Sequence, residues 1–255
     1  MKQRLTNELA IFALAVQFLT RVPIPVGDAY SEQRLAQAPR YYPLVGLCVG
    51  AVCAGAFELA MLVFPQLVTV LLTVAIGLML TGAFHEDGLA DTFDSFGAID
   101  KDKALSVMRD SRIGTYGAAA LGTALALKVA TLHELAPETV AAALIAAHGL
   151  SRLSAVLVIA SSTYVRDQGA GKPTAAGIDR HSLGIAITTG VIVLLTLVQV
   201  IGPGATIGLL LFIIGGHFGM RALFERRLGG YTGDTLGAVQ QVSELSVYLA
   251  VLAWQ

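Results

Sequence analysis

Charge is scarce in this 255-residue chain. Only 14% of its residues are Asp, Glu, Lys or Arg, against roughly 25% in soluble domains. That deficit excludes an ordinary water-soluble fold with a charged surface. Cysteine is nearly absent too. Cys48 and Cys53 share one apolar run, and five residues apart they fall on different helix faces. They read as small packing residues, not as a disulfide framework or a metal pair. Neither sign of charge dominates, with 17 Lys and Arg against 18 Asp and Glu. No basic stripe interleaved with aromatic residues runs along the chain, which argues against nucleic-acid binding. No long repeat, low-complexity tail or dividing linker is visible, so residues 1–255 read as a single integral membrane domain.

What is abundant is apolar sequence, with 55% hydrophobic residues and a mean hydropathy of +0.70. A helix needs about 20 apolar residues to cross a bilayer. Seven runs qualify, at about 43–64, 66–85, 114–132, 139–161, 184–201, 204–220 and 236–254, with tight turns marked by Pro65 and by Gly202-Pro203-Gly204. An eighth stretch, 8–20, is shorter and runs into Arg21-Val22-Pro23-Ile24-Pro25. It predicts an interfacial or half-spanning helix, and no small-residue cleavage site follows it. The predicted fold class is all-α, a polytopic membrane helix bundle of about seven transmembrane helices plus this N-terminal helix.

Basic residues set the orientation. Fifteen of the 17 fall before residue 43 or in the segments 86–113, 162–183 and 221–235. With seven spans, these four regions share one side. The N-terminus and all the basic loops are then cytoplasmic, and the C-terminus lies outside. The other two, Lys128 and Arg152, fall inside predicted spans, where charge is costly and usually faces a bundle interior. Glu58 is one candidate partner for Lys128, and Gln241 and Glu244 are candidates for interior polar contacts. Snorkelling toward the cytoplasmic end accounts for Arg152.

The cytoplasmic side carries the chemistry. In His85-Glu86-Asp87-Gly88-Leu89-Ala90-Asp91-Thr92-Phe93-Asp94, the aspartates at 87, 91 and 94 are spaced i, i+4, i+7. At about 100° per residue a helix gathers them within roughly 60° of arc. Like charges on one face repel unless a cation sits among them. Carboxylates with retained water suit Mg²⁺, which commonly bridges protein to phosphate oxygens. The alternative is a solvated acidic helix start, favoured by the helix dipole. His85 abuts the triad as a candidate base. Shortly afterwards come Arg109, Asp110, Ser111 and Arg112, followed by Gly114 and Gly117. Arg109 and Arg112, neighbours if that segment is helical, suit forked binding of phosphate. Gly117 reads as a helix-packing residue. A second cluster, Gly229-Gly230-Tyr231-Thr232-Gly233-Asp234-Thr235-Leu236-Gly237, predicts a tight loop on the same side. There Asp234 is a candidate to complete a metal shell and a candidate cap of the last helix, two roles that do not exclude each other.

Four ordered segments resemble the cobalamin synthase family, the adenosylcobinamide-GDP ribazoletransferases. They are Phe18 through Pro25, His85 through Asp94, Met108 through Gly117, and Gly233 through Ala238. The resemblance covers nearly the whole chain; one departure is Ser95, where many members have glycine. It implies Mg²⁺ as cofactor, with adenosylcobinamide-GDP and α-ribazole or its 5′-phosphate as substrates. It also implies a place in the bacterial cytoplasmic membrane with the site on the cytoplasmic face. Self-association, or contact with other corrinoid-pathway enzymes, is compatible with such a role. Mapped residue by residue, Asp87, Asp91, Asp94 and Asp234 would hold metal, and His85 or an aspartate would accept a proton. Arg21, Arg109, Asp110, Ser111 and Arg112 would bind substrate.

Two rivals fit less well. Membrane enzymes that transfer phosphoalcohols from CDP-alcohols also carry an Asp-Gly pair, but Ala90 is followed here by Asp91 and their downstream spacing is missing. A transporter would concentrate its charges at midplane and show an inverted repeat, and neither is apparent.

Overall fold

A computed structural model describes residues 2–27, 30–166, 172 and 177–255. Its named elements are helices: α1 (Lys2–Leu19), α2 (Glu32–Gln37), α3 (Tyr42–Met61), α4 (Gln66–Thr81), α5 (Phe84–Ser95), α6 (Lys101–Val107), α7 (Thr115–Glu134), α8 (Pro137–Ser161), α9 (Arg180–Leu228) and α10 (Gly233–Ala253). The fold is that of an all-α polytopic membrane protein. Five helices are long and apolar enough to cross a membrane, and six if the bent pair α4–α5 forms one span. In that reckoning α9 counts once, yet at about 1.5 Å per residue its 49 residues would reach more than twice the thickness of a bilayer core. The break lies at Gly202 (φ 84°, ψ 165°), inside the Gly-Pro-Gly sequence expected to turn between two spans.

Helices α8 and α10 form the middle of the bundle. Nearly every position of α10 from Gly237 to Val251 is buried, and α3 and α5 pack against this pair from either side. Large apolar side chains point outward instead on α4 (Leu67, Leu71, Met79) and α9 (Val191, Leu195, Ile207, Leu211). In water such a surface would be a liability, whereas hydrocarbon solvates it.

The predicted span 66–85 is corrected at its end. Gly82 takes a left-handed conformation (φ 67°) and Ala83 follows at φ 54°. The amide of Ala83 donates to the carbonyl of Leu78, closing α4 as a left-handed cap does. The chain then turns by 87° into α5. The acidic segment therefore does not continue a membrane helix. It forms a separate short helix set across the end of the bundle, which we take as lying outside the spans.

The interior charges also differ from expectation. Glu58 is exposed and does not pair with Lys128. The buried Lys128 Nζ instead lies 2.8 Å from Glu244 Oε1 and 3.5 Å from Glu86 Oε1, with Gln241 Oε1 accepting at 3.2 Å. Arg152 does not snorkel: it is 1% exposed and donates to the carbonyl of His148 at 2.9 Å. These groups line a cavity of about 20 Å³, room for about one water. Two buried cations thus oppose two buried carboxylates, so the network is neutral overall.

Candidate functional site

Helix α5 is anchored on three sides. Gly88 meets α10, where a Cβ would sit 2.7 Å from the carbonyl oxygen of Asp234 and 3.2 Å from the Cα of Gly237. The chain leaving the C-terminal end of α5 is held by Arg227, which donates from Nη2 to the carbonyls of Phe96, at 2.9 Å, and Ala98. Asp94 reaches the start of α7, accepting from the amides of Gly114 at 2.7 Å and Gly117 at 2.8 Å. No side chain of the N-cap residue Gly114 does this work, so Asp94 caps α7 from another helix. Gly117 is needed for that approach. A Cβ there would strike the Asp94 carboxylate and come within 2.8 Å of the Ala90 carbonyl oxygen. The packing reading of Gly117 holds, with Asp94 as its partner.

Asp87 is exposed and Asp91 half-buried. Both line a cleft of about 410 Å³ with Glu86, Arg109, Asp110 and Ser111. Neither carboxylate has a hydrogen bond or ion pair to a described side chain. Burial, then the nearby carboxylates of Asp234 and Asp87, pushes Asp91 up to about 7. Asp94 thus shares their helix, but both of its oxygens are occupied by backbone amides. Among the described residues, no three His, Cys, Asp or Glu side chains converge as a ready-made metal cage.

His85 does not abut the triad as expected. The helical turn that groups the aspartates sends it to the opposite face of α5, where it is 5% exposed. There it lines an apolar cavity with Phe18, Tyr42, Phe84 and Arg152. The 109–114 segment is irregular, not helical, so Arg109 and Arg112 are not helix neighbours. Arg109 faces the cleft. Arg112, 86% exposed, forks onto Asp110 at 2.6–3.2 Å and holds that carboxyl down at about 2. Ser111 sits between them at the rim. Arg21 lies across the α4–α5 corner, filling the space a Cβ on Gly82 would need. Its backbone amide donates to the Leu80 carbonyl at 2.7 Å.

Asp234 is not the cap of α10. Thr232 caps that helix, receiving the amide of Thr235 while the Thr235 hydroxyl receives that of Thr232. The Asp234 side chain is left free to pair with Arg166, whose Nη2 lies 2.7 Å from Asp234 Oδ2. In the sequence Arg166 is one basic loop residue among several. Its position comes from a two-residue parallel bridge between Tyr164 and Tyr231. In it the amide of Val165 donates to the Tyr231 carbonyl at 3.0 Å, and that of Tyr231 to the Thr163 carbonyl at 2.8 Å.

The helical bundle, with helices long and apolar enough to cross a membrane and a cleft lined by carboxylates and Arg109, is that of a polytopic membrane protein with a polar site. The chain matches the model of the cobalamin-5-phosphate synthase family over residues 11–252, and it belongs to that family. It is 44% identical over 256 residues to the adenosylcobinamide-GDP ribazoletransferase of Shewanella frigidimarina (strain NCIMB 400), covering 97% of this chain and 95% of the relative. It is 43% identical over 253 residues to the enzyme of that name from Shewanella amazonensis (strain ATCC BAA-1098 / SB2B), covering 96% of each. Against that of Shewanella woodyi (strain ATCC 51908 / MS32) it is 43% identical over 259 residues and 98% of each. No solved structure matches the chain.

Proposed function

We propose that the chain is an adenosylcobinamide-GDP ribazoletransferase acting at the cytoplasmic face of the bacterial inner membrane. The 3′-hydroxyl of α-ribazole, or of its 5′-phosphate, attacks the phosphorus on the cobinamide side of the diphosphate. The bond from that phosphorus to the bridging oxygen breaks, GMP leaves, and adenosylcobalamin or its 5′-phosphate forms. Family membership over nearly the full chain supports the reaction. The asymmetry of basic residues supports the cytoplasmic placement.

The observation that carries the site is the pair Asp87 and Asp91, unpartnered on one face of α5 beside the cleft, with Asp234 close by on α10. Oxygen donors that repel one another and lack protein partners fit Mg²⁺, which takes few protein ligands and keeps the rest for water and phosphate. Asp87 and Asp91 would hold the ion, and Asp234 would join them only on leaving Arg166; Asp94 is committed to α7. When bound, Mg²⁺ supplies charge neutralisation on the diphosphate and its leaving group. Reactions of this type depend chiefly on positioning and charge. Arg109 faces the cleft to meet phosphate oxygens. An α5 carboxylate not fully committed to the ion would accept the hydroxyl proton, a role that the opposite-facing side chain of His85 supports less well.

The test is GMP release by purified protein in liposomes given adenosylcobinamide-GDP, α-ribazole and Mg²⁺. Release with a cobalamin product, lost in EDTA and in Asp91→Asn, is expected. A folded sample that releases no GMP would overturn the reading.

A further inference from the structure

We propose that Arg166 is a phosphate-binding residue of this site, held by Asp234 until a diphosphate displaces the carboxylate. The inference rests on the proposed phosphoryl chemistry, but it names a residue and an exchange which that chemistry alone does not require.

Three observations carry it. First, the Arg166 side chain is only 9% exposed, although it comes from a loop. Its segment is pinned to the turn before α10 by the Tyr164–Tyr231 bridge, and the two rings pack edge to face with centroids 5.4 Å apart. A Cβ on Gly230 would strike the Thr163 carbonyl, so the close approach that seats Arg166 requires glycine there. Second, the guanidinium is under-satisfied. Nε is buried without a hydrogen-bond partner. The Nη2–Oδ2 contact is short at 2.7 Å, but neither atom completes a hydrogen bond of good geometry. Leaving buried donors unused is costly, and a planar fork with spare donors suits the oxygens of a phosphate. Third, the carboxylate that Arg166 holds belongs to the crossing of α10 with the aspartate-bearing helix: a Cβ on Gly88, the neighbour of Asp87, would sit 2.7 Å from the Asp234 carbonyl oxygen. An arriving anion with its cation would satisfy both sides, the arginine taking phosphate oxygens and the carboxylate joining the cation beside Asp91.

Arg112 and Arg109 differ in kind. Arg112 is exposed and already bound to Asp110, and Arg109 is an exposed turn residue. Arg166 is the buried guanidinium next to the aspartates.

The experiment measures Mg²⁺-free binding of inorganic diphosphate, with chelator present, to the full chain in detergent. Wild type is compared with Arg166→Met, Arg166→Lys and Asp234→Asn, and thermal midpoints are recorded for each. Arg166→Met should weaken binding at least about tenfold. Arg166→Lys, which keeps the charge without the fork, should fall between. Asp234→Asn should bind more tightly than wild type, because the competing carboxylate is gone; a purely structural ion pair would not produce that gain. Wild-type affinity in Arg166→Met, or weaker binding in Asp234→Asn, would overturn the proposal. If Arg166→Met does not fold, the charge-balanced double variant Arg166→Met, Asp234→Asn replaces it, and wild-type affinity there counts against the proposal equally. Diphosphate binding is scored without corrinoid turnover. Absence of GMP release by wild type would therefore defeat the assigned reaction while leaving the arginine separately tested.

Discussion

Gly88 on α5 and Gly237 on α10 face each other where the helices cross, and a Cβ on either would stand 3.2 Å from the other's Cα. This contact lets the backbone bearing Asp87 and Asp91 approach the turn bearing Asp234. Two effects oppose each other in Gly88→Ala. Alanine gains roughly 0.5–1 kcal/mol of helix preference, but its Cβ would press on the Asp234 carbonyl oxygen at 2.7 Å, a backbone atom that cannot swing aside. Overpacking of this kind costs about 1–3 kcal/mol, so the clash should win. Thermal unfolding in detergent should show a lowered midpoint together with lost turnover. Gly122→Ala on α7, where nothing lies within 4 Å, should leave both unchanged or slightly improved.

Asp87 and Asp94 lie on the same helix face yet should respond differently to substitution. Asp94→Ala removes the acceptor for the amides of Gly114 and Gly117, and a lost cap costs about 1 kcal/mol. Its thermal midpoint should fall. Asp87→Asn removes a charge that contacts no described side chain, so that variant should fold normally and lose nearly all turnover. Equal midpoints for the two variants would contradict the division of roles.

The acidic face was readable because three aspartates at helical spacing need only a helix to bring them together, and α5 is that helix. The geometry beyond α5 was not readable. Which way α5 points depends on Gly82 and Ala83 adopting left-handed conformations, and alanine does not advertise one. The orientation of His85 is the exception: the same step of about 100° that groups the aspartates sends it to the opposite face, so the spacing alone argued against its abutting them. Lys128 is separated from Glu244 by more than 100 residues, so their pairing emerges only from the packing of α7 on α10; Glu58 shared with Lys128 only a predicted place inside a span. Arg166 owes its place to a two-residue bridge between distant loops, a feature with no periodicity to announce it.

Asp91 gives the metal-free protein a pH signature. Its carboxyl is raised in the folded state to about 7 from the ordinary value of 3.8, chiefly by burial. Between those values the folded chain binds the proton more readily than the unfolded one, so stability falls as pH rises through the window. In EDTA the thermal midpoint should therefore drop between about pH 4 and pH 7, and Asp91→Asn should flatten the drop. Asp234→Asn, by removing the carboxylate that acts most strongly on Asp91, should shift the drop to lower pH. A wild-type profile that rises over this range, with Asp91→Asn superimposed on it, would rule the effect out.

The interior network makes the sharpest claim about stability. Lys128 is the close cation of both Glu244, at 2.8 Å, and Glu86, at 3.5 Å, and Arg152 lines the same cavity. Lys128→Met leaves two buried carboxylates facing one guanidinium. Breaking a buried pair from one side typically costs about 3–5 kcal/mol, because the surviving charge remains desolvated. Lys128→Met should accordingly express poorly or unfold at much lower temperature. Adding Glu244→Gln restores neutrality, with Glu86 and Arg152 the remaining charges, and keeps an acceptor for Tyr248 and a polar neighbour for Gln240, which bond Glu244 at 3.1 and 2.8 Å. The double variant should recover more than half of the lost stability, measured as a double-mutant cycle by thermal unfolding in one detergent. Simple additivity of the two single losses would mean that the pair does not act as a charge-balanced unit.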